Sequence, residues 1–331
     1  MKAVVYTEFG SPDVLHVSGV EKPTPKDNEV LVRVHATTVN FGDLIARNMS
    51  AWSPARFTMP FLFYVPTRFA FGLRRPTKSI LGSEYAGVIE GVGKDVTRFK
   101  AGDKVFGYRG QTMGTYAEYI TAPEDSPIAP MPSNMTFEEA ASIPYGAITA
   151  LNLLKKANIQ PGQKVLINGA SGSIGSAAMQ LAKHYGAEVT GVAGSKRIPM
   201  LEALGADKTI DYTREDFTAR GEQYDLILDV IRKSSFEKAK RALTPNGIYM
   251  LASFKMKQVF QMLRTRFTGG KQVICALAFD KPGDLDVIKE LIEAGALKSA
   301  VDRSFPLEQA AAAHRYVESG DRTGSVVLAV A

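Results

Sequence analysis

The chain has 331 residues, of which 45% are hydrophobic, so it is long enough to form more than one hydrophobic core. Its 40 basic and 34 acidic residues give a formal charge of +6, which favours anionic ligands. A phosphate-rich cofactor satisfies that preference, and nucleic-acid binding is not expected. The single cysteine excludes an intramolecular disulfide and is typical of a reducing compartment. The first residues lack the pattern of a signal peptide, so a cytoplasmic protein is expected.

The first third of the chain predicts a mostly β lobe. Runs of β-branched and aromatic residues, separated by turn signals, predict strands at residues 3–6, 29–36, 84–92, 104–107 and 115–121. The stretch from Asp43 to Gly82 is instead aromatic and rich in arginine. Two interpretations of it stay open: it lines an apolar substrate pocket or forms a lid, or it packs on the lobe or at a dimer contact. Prolines and Arg68 interrupt its apolar part, residues 57–73, which excludes a membrane span.

A change of pattern follows four prolines between residues 123 and 132, where we expect the chain to cross into a second lobe. Strands are predicted at residues 164–168, 188–192, 208–210, 224–230, 247–252 and 272–278, and helices at 174–185, 197–204 and 235–243. Strands that alternate with helices predict a parallel sheet wound on both sides, so the fold class is α/β. A final strand at residues 325–330 is expected to return to the first lobe.

A glycine-rich loop joins the first of these strands to its helix and reads Gly169-Ala-Ser-Gly-Ser-Ile-Gly175. Glycines permit a tight turn and a close approach of the backbone to a pyrophosphate, while the helix N-terminus offers unpaired N–H groups and a positive dipole end. The loop therefore predicts dinucleotide binding. Its predicted cofactor-binding residues are Gly169, Ser171, Gly172, Ser173, Ile174 and Gly175.

The end of the second strand of this lobe indicates which dinucleotide is bound. NAD-binding proteins place a carboxylate there for the ribose 2′-hydroxyl, but this chain has Ser195, Lys196 and Arg197. A hydroxyl donor beside two cations suits a 2′-phosphate, so the pattern predicts NADPH. Tyr212 adds a candidate phenolic contact to the same phosphate. The alternatives are a solvated basic helix start and a surface tyrosine.

Several ordered motifs resemble one known superfamily over nearly the whole chain. They include Asn40-Phe-Gly-Asp43, Gly82-Ser-Glu-Tyr-Ala-Gly87, Gly114-Thr-Tyr-Ala-Glu-Tyr119 and Leu204-Gly-Ala-Asp207, besides the glycine loop. In order and spacing they resemble the medium-chain dehydrogenase/reductase superfamily, and within it the zinc-free quinone oxidoreductase-like group. The resemblance implies a doubly wound parallel Rossmann domain over residues 127–274. It also implies a mostly β, GroES-like catalytic lobe built from residues 1–126 and 275–331, and a homodimer formed through the edge of the Rossmann sheet.

The resemblance also allows a comparison with the zinc ligands of the alcohol dehydrogenases in this superfamily. The cysteine position of the first motif is Asn40, the histidine position before Glu84 is Ser83, and the third ligand position falls near Pro144. None of these side chains supplies the thiolate or imidazole of such a site, so no bound metal is expected. Near the C-terminus, Ser325 stands where many relatives carry lysine, which puts that contact to the cofactor in doubt.

Without zinc to polarise a simple carbonyl, a quinone or an α,β-unsaturated carbonyl is the expected small-molecule substrate, because its own π system spreads the charge that hydride brings. The resemblance implies that Asn40 lies near the nicotinamide, that Asp43 orients this loop and that Thr149 faces the nicotinamide. The proton donor is solvent or a tyrosine. Two alternatives stay open: a zinc-independent carbonyl or alcohol reductase, and a non-catalytic NADPH-binding redox sensor.

The segment from Phe254 to Lys271 is basic and amphipathic and contains no acidic residue. We interpret it as a solvated face beside the cofactor cleft. Peripheral contact with an anionic membrane is the less favoured alternative.

Overall fold

The computed structural model describes residues 1–54, 56–278, 280–281 and 283–330. The strands are β1 (Lys2–Val5), β2 (His16–Gly19), β3 (Glu29–Val39), β4 (Glu84–Val92), β5 (Lys104–Tyr108), β6 (Tyr119–Pro123), β7 (Ile128–Pro130), β8 (Lys164–Asn168), β9 (Glu188–Ala193), β10 (Lys208–Asp211), β11 (Tyr224–Asp229), β12 (Leu243–Leu251), β13 (Gln272–Cys275), β14 (Val301–Pro306) and β15 (Ser325–Ala329). The helices are α1 (Phe41–Arg47), α2 (Phe61–Phe71), α3 (Phe137–Ala141), α4 (Pro144–Ala157), α5 (Ser173–His184), α6 (Ile198–Ala203), α7 (Phe236–Ala239), α8 (Met256–Thr268), α9 (Asp284–Glu293) and α10 (Ala310–Ser319).

A parallel sheet of six strands forms the second lobe, in the order β10-β9-β8-β11-β12-β13. The chain adds strands on one side of β8 and then on the other, so the order reverses between β8 and β11. Such a switch point opens a crevice at the carboxyl ends of the strands, where ligands of α/β sheets bind. Val165, Leu166 and Ile167 of β8 are fully buried, as expected for a central strand covered on both faces. The predicted doubly wound α/β fold is confirmed.

The first lobe is a mostly β structure built from both ends of the described chain. Its sheet has the order β14-β15-β3-β4-β5-β7, with β6 also paired to β3, and β1 and β2 form a separate antiparallel pair. β15 runs antiparallel to β3, with Val326 opposite Val39 and Leu328 opposite Thr37. The predicted return of the final strand to this lobe is therefore confirmed.

The passage between the lobes differs from the predicted one. The boundary predicted between residues 126 and 127 falls between β6 and β7, yet both strands pair within the first lobe, β7 with β5. A capping box then opens α3, in which Thr136 Oγ1 accepts from the Glu139 amide at 3.2 Å. α3 packs on β3 and β4, so residues 128–141 lie against the β sheet. The exact division into domains stays a prediction.

Other elements also depart from expectation. The strand predicted at 115–121 begins only at Tyr119, since Thr115 and Tyr116 instead bond to the backbone of Gly82 and Leu81. The helix predicted at 235–243 is a single turn, α7, followed by a 3-10 turn, and β12 starts at Leu243.

The aromatic segment forms a helix, α2, that exposes apolar side chains. Phe57, four residues before α2, and Phe71, the last residue of α2, are buried. Phe61, Leu62 and Phe69 are instead 60%, 76% and 64% exposed. None of the helices in the described ranges is both long enough and apolar enough to span a bilayer.

Candidate active site

The glycine loop connects β8 to α5 at the switch point of the parallel sheet. Gly169 adopts a φ of +89°, a conformation that L side chains rarely adopt, and a Cβ at Gly175 would lie 2.2 Å from the Gly169 carbonyl oxygen. Gly172 caps α5 but has no side chain to bond its first-turn amides. Those amides and the dipole of this 12-residue helix fit a pyrophosphate. Ser171 and Ser173 line a small pocket there, together with Gly324 and Ser325.

Helix α4 packs directly against this loop. A Cβ at Gly146 would lie 2.4 Å from the Ser173 carbonyl oxygen, so only glycine permits the observed approach of the two helices. Thr149 follows Tyr145 by four residues on α4 and therefore lies on the same face of the helix. Its side chain is half-buried.

Asn40 caps α1 and is held by four hydrogen bonds. Its Oδ1 accepts from the Gly42 amide at 2.8 Å and the Asp43 amide at 3.3 Å, and its own amide donates to Asp43 Oδ2 at 2.9 Å. Its Nδ2 donates to Ser83 Oγ at 2.8 Å. Nδ2 carries two hydrogens, and the Asn40 side chain also lies within hydrogen-bonding reach of Glu84, which lowers the pKa of that carboxyl group against the larger effect of burial.

Two buried carboxyl groups lie behind Asn40. Asp43 accepts from the Gly82 amide at 3.0 Å, and Glu84 accepts from the Tyr145 amide at 2.8 Å and from the Thr38 hydroxyl. Burial raises the pKa of Asp43 to about 7, against the lowering effect of its backbone hydrogen bonds, and burial likewise raises the pKa of Glu84 to about 7. Both carboxyl groups are shielded from solvent, so neither meets a ligand directly.

The positions compared with zinc ligands lie close together. The hydrogen bond from Asn40 to Ser83 joins the first two, and Pro144 begins the helix whose Tyr145 amide bonds to Glu84. Within the ranges that the structure describes, no three His, Cys, Asp or Glu side chains are grouped as metal ligands.

Two tyrosines stand beside this network. The rings of Tyr108 and Tyr145 are 5.6 Å apart. Burial raises the pKa of Tyr145 to about 12 and raises the pKa of Tyr108 further. Both phenols are therefore protonated at neutral pH and can donate a hydrogen bond or a proton.

The ribose end of the expected cofactor site contains a carboxylate that the sequence analysis missed. Ser195 donates to Asp211 at the end of β10, and Asp211 also accepts from the Thr213 hydroxyl at 2.7 Å. β9 itself carries no carboxylate at its end, but the pairing of Asp211 with Ala193 brings one beside it. The Ser195 hydroxyl hydrogen bond lowers the pKa of Asp211, so this group is negative at neutral pH.

The two cations of this region also have partners. Lys196 Nζ lies 3.0 Å from Asp321, with both side chains well exposed. Arg197 donates to the carbonyl oxygens of Arg322 at 2.8 Å and Gly320 at 2.5 Å, so it ties the turn after α10 to the start of α6. The two cations expected to bind a 2′-phosphate are thus present, but both already contact other groups of the protein.

Tyr212 follows directly after Asp211. It is 58% exposed, and a Cβ at Gly194 would lie 3.4 Å from its hydroxyl oxygen, so the ring stands next to the turn that follows β9. The structure thus brings Tyr212 and Ser195 to the same sheet edge.

A cleft of about 340 Å³ lies beside α1. Phe41 and Trp52, whose rings lie edge to face at 5.7 Å, line it together with Glu318 and Arg322. Burial lowers the pKa of Arg322, as does the nearby Arg197, yet a guanidinium stays cationic at neutral pH. Trp52, from the aromatic segment, is thus a lining residue.

Sequence reasoning missed three charged residues of this region: Glu84, Asp211 and Arg322. Glu84 lies within the motif that opens β4, where a carboxylate next to the buried start of a strand is a signal, since it is buried only when it is hydrogen-bonded. Asp211 becomes a neighbour of Ser195 through strand pairing alone. Arg322 lies in a turn with no distinguishing pattern.

Comparison with known proteins agrees with the fold and the motifs. A family model described as alcohol dehydrogenase GroES-like domain matches residues 26–133, and one described as zinc-binding dehydrogenase matches residues 204–328. The chain is 30% identical to the NADPH-dependent alkenal/one oxidoreductase, chloroplastic, of Arabidopsis thaliana, over 99% of this chain and 79% of that protein.

Solved structures give the same result. The quinone oxidoreductase of Coxiella burnetii superposes with a TM-score of 0.84 at 29% identity, covering 100% of this chain and 99% of that one. An NAD-dependent alcohol dehydrogenase superposes with a TM-score of 0.82 at 30% identity, covering 100% of both chains. From its motifs, its two-lobe fold and these relatives, the chain belongs to the medium-chain dehydrogenase/reductase superfamily of oxidoreductases.

Proposed function

We propose that this protein transfers hydride from NADPH to a quinone or an α,β-unsaturated carbonyl without a catalytic zinc. The observation that carries this proposal is the hydrogen bond between Asn40 and Ser83, which stand at two of the positions compared with zinc ligands, while Pro144 stands near the third. Amide and hydroxyl groups of this kind can hold a substrate oxygen by hydrogen bonds, but they provide neither the thiolate nor the imidazole of a zinc site. The Arabidopsis relative is named an NADPH-dependent alkenal/one oxidoreductase, and this name supports both NADPH as the cofactor and an unsaturated carbonyl as the acceptor.

NADPH, when bound, supplies the hydride. The first-turn amides of α5 and the loop Gly169–Gly175 are proposed to hold its pyrophosphate, and Thr149 to contact the nicotinamide. Ser195, Lys196, Arg197 and Tyr212 are proposed to hold the ribose 2′-phosphate. Arg322 is a further candidate for the phosphate groups, because its cation lies at the cleft.

Asn40 is proposed to bind the acceptor oxygen through its Nδ2, in exchange for its contact with Glu84. The capping bonds to Gly42 and Asp43 fix the amide before substrate arrives, so the donor meets the developing negative charge without reorganisation. Asp43 acts as the orienting group for this loop through its bonds to the Asn40 and Gly82 amides. The proton comes from Tyr108 or Tyr145, or from solvent.

The first experiment follows NADPH absorbance with a panel of quinones, enones, enals, aldehydes and alcohols, in parallel with NADH and after treatment with a chelator. We expect consumption that resists the chelator, prefers conjugated acceptors and is faster with NADPH. Oxidation of simple alcohols with no action on enones would instead establish a carbonyl or alcohol reductase. The similarity to the structure of an alcohol dehydrogenase supports this second candidate. Tight NADPH binding without turnover of any acceptor would establish a redox sensor.

A homodimer through β13 is part of the proposal. Among the described strands, β13 pairs only with β12 and ends the parallel sheet. The outward amides of Val273 and Cys275 bond to Thr265 and Met262 of α8, so a second copy that pairs with this edge also displaces or contacts α8. Sedimentation velocity tests it, and a monomer at micromolar concentration would refute it.

The single cysteine supports a reducing, cytoplasmic compartment.

A further inference from the structure

Helix α8 turns an apolar stripe toward solvent. Met256, Phe260, Leu263 and Phe267 follow one another at intervals of four, three and four residues, which places them on one face of the helix, and they are 46%, 64%, 46% and 84% exposed. The opposite face holds the helix to the protein, since the Thr265 hydroxyl accepts from the Val273 amide of β13 at 3.0 Å. Helix α8 is therefore attached to the protein by its other face, and its apolar stripe is exposed although the helix is held in place.

Helix α2 carries a second stripe of the same kind. Phe61, Leu62, Val65 and Phe69 are 60%, 76%, 38% and 64% exposed. Tyr64, between them, instead bonds inward to the Trp52 carbonyl oxygen at 3.0 Å. We call the eight exposed residues of these two helices the α2–α8 surface.

The segments that carry the two helices adjoin one another. Ser253 Oγ donates to the Thr58 carbonyl oxygen at 2.8 Å, and Lys255 Nζ donates to the Pro54 carbonyl oxygen at 2.9 Å. Met59, just before α2, packs in the same cluster as Val259 of α8. The two stripes thus belong to neighbouring parts of one surface, although they are about 190 residues apart in sequence.

The charged residues of the two chain segments that carry this surface have one sign, and among them Arg47 is buried and paired with Glu318. Residues 44–83 contain six Arg and Lys and no acidic residue, and residues 238–279 contain eight Arg and Lys and no acidic residue. Within the part of the chain that the structure describes, no ion pair engages Lys257, Arg264 or Arg266. Glu237 lies close enough to feel Lys257 and Arg264, but it is already bonded to Lys240 at 2.9 Å.

We propose that the α2–α8 surface binds an anionic phospholipid bilayer, with both helices lying in the plane of the membrane interface. Exposed aromatic and aliphatic side chains beside unpaired cations are what such binding requires, because the apolar groups enter the acyl boundary while the cations meet lipid phosphates. A second copy fits less well. Two-fold pairing through this surface would place each basic segment against another with no acidic residue to neutralise it.

Flotation of the full chain with lipid vesicles tests the proposal, without cofactor or substrate, so that its outcome is independent of the reaction. Vesicles of phosphatidylcholine alone are compared with vesicles that contain about 30% phosphatidylserine, at low and high salt. We expect binding to the anionic vesicles only, weakened by salt. Neutralising two cations in R264Q/R266Q should lower partitioning about 25-fold, since each cation near such a surface contributes about fivefold. F260S/F267S should abolish it.

Matched variants on other surfaces serve as controls. K94Q/K100Q removes two exposed cations of the first lobe, and Val287→Ser removes an exposed apolar side chain of α9, so neither should change partitioning. All variants should retain the wild-type thermal midpoint, because each changed side chain is exposed. Failure of the wild type to float with anionic vesicles would overturn the proposal, as would an R264Q/R266Q variant that binds normally. A shift from dimer to monomer in F260S/F267S, without vesicle binding by the wild type, would assign the surface to contact between copies.

Discussion

Asp211 affects how the ribose end of the proposed cofactor site discriminates between NADPH and NADH. Its carboxylate accepts from Ser195 and from Thr213, and its side chain is 14% exposed. A negative charge there disfavours a 2′-phosphate but accepts a 2′-hydroxyl, while Lys196 and Arg197 have the opposite preference. We therefore expect selectivity at the proposed site to be a balance of these charges rather than the result of the basic pair alone.

Replacing Asp211 with asparagine should shift that balance toward NADPH. Asparagine keeps an acceptor oxygen for Ser195 but loses the charge, so NADPH affinity should rise about fivefold to tenfold while NADH affinity changes less than twofold. Fluorescence titration of both cofactors measures the ratio. Asp95→Asn, an exposed change in the first lobe, is the control. An equal effect on the two cofactors would show that Asp211 lies away from the 2′ position.

Asn40 combines a structural task, as the cap of α1, with the proposed chemical one, and serine separates them. In N40S the hydroxyl still caps α1, because serine is as good an N-cap as asparagine, but the amide donor is gone. We expect the kcat for a conjugated acceptor to fall about 100-fold, as when one donor to a developing oxyanion is removed. The thermal midpoint should stay within a few degrees of wild type. A variant with normal kcat would remove Asn40 from the reaction.

At the scale of elements, the contact between α4 and α5 determines where the glycine loop lies. The short distance from Gly146 to the Ser173 carbonyl oxygen leaves no room for a methyl group. The same contact joins the two halves of the proposed site, because α4 also carries Thr149 and the Tyr145 amide that bonds to Glu84.

Gly146→Ala should therefore push α5 away from its position. We expect NADPH affinity to fall about tenfold and the free energy of unfolding to fall by about 1–3 kcal/mol, as for other overpacked contacts. Cofactor titration and urea unfolding measure the two effects. Gly91→Ala, where no atom lies within 4 Å of an added Cβ, should change neither. Unchanged cofactor binding in G146A would mean that a shift of α5 does not alter the proposed cofactor site at the glycine loop.

The elements show what sequence can and cannot predict. β4 was predicted at its observed bounds, and the glycine loop and the alternation after Pro161 predicted the parallel sheet, because local turn chemistry and hydrophobic periodicity act over short distances. α2 was not predicted, since Pro66 within it normally argues against a helix. The contacts of Ser195 with Asp211 and of Asn40 with Ser83 join residues that are far apart in sequence, and no local pattern encodes them.

At the scale of the whole molecule, the buried carboxyl groups make stability depend on pH. Glu84 has a pKa of about 7 in the folded protein against 4.5 in the unfolded chain. Between these values the folded protein keeps a proton that the unfolded chain has released, so the free energy of unfolding decreases as pH rises through this window. The stabilising contribution is complete below about pH 4.5 and lost above about pH 7. Asp43 acts in the same direction.

E84Q tests this dependence. Glutamine keeps an oxygen for the Tyr145 amide and turns its NH₂ toward the Thr38 hydroxyl, so the shape of the site is preserved. Wild-type protein should lose up to about 3 kcal/mol per carboxyl group between pH 5 and 8, and E84Q about half of the total. Urea unfolding across that range measures the slopes, with the exposed Glu8→Gln as control. Equal slopes for E84Q and wild type would show that Glu84 is ionised throughout.

The position of β15 determines the order in which the lobes can be completed during synthesis. β15 lies between β14 and β3, so the sheet that contains β3 and β4 lacks an inner strand until residues 325–329 have been synthesised. The parallel sheet uses only strands between residues 164 and 275 and can close earlier. A nascent chain halted before β15 would thus present a folded dinucleotide lobe beside an open β3 edge, which is a natural target for chaperones.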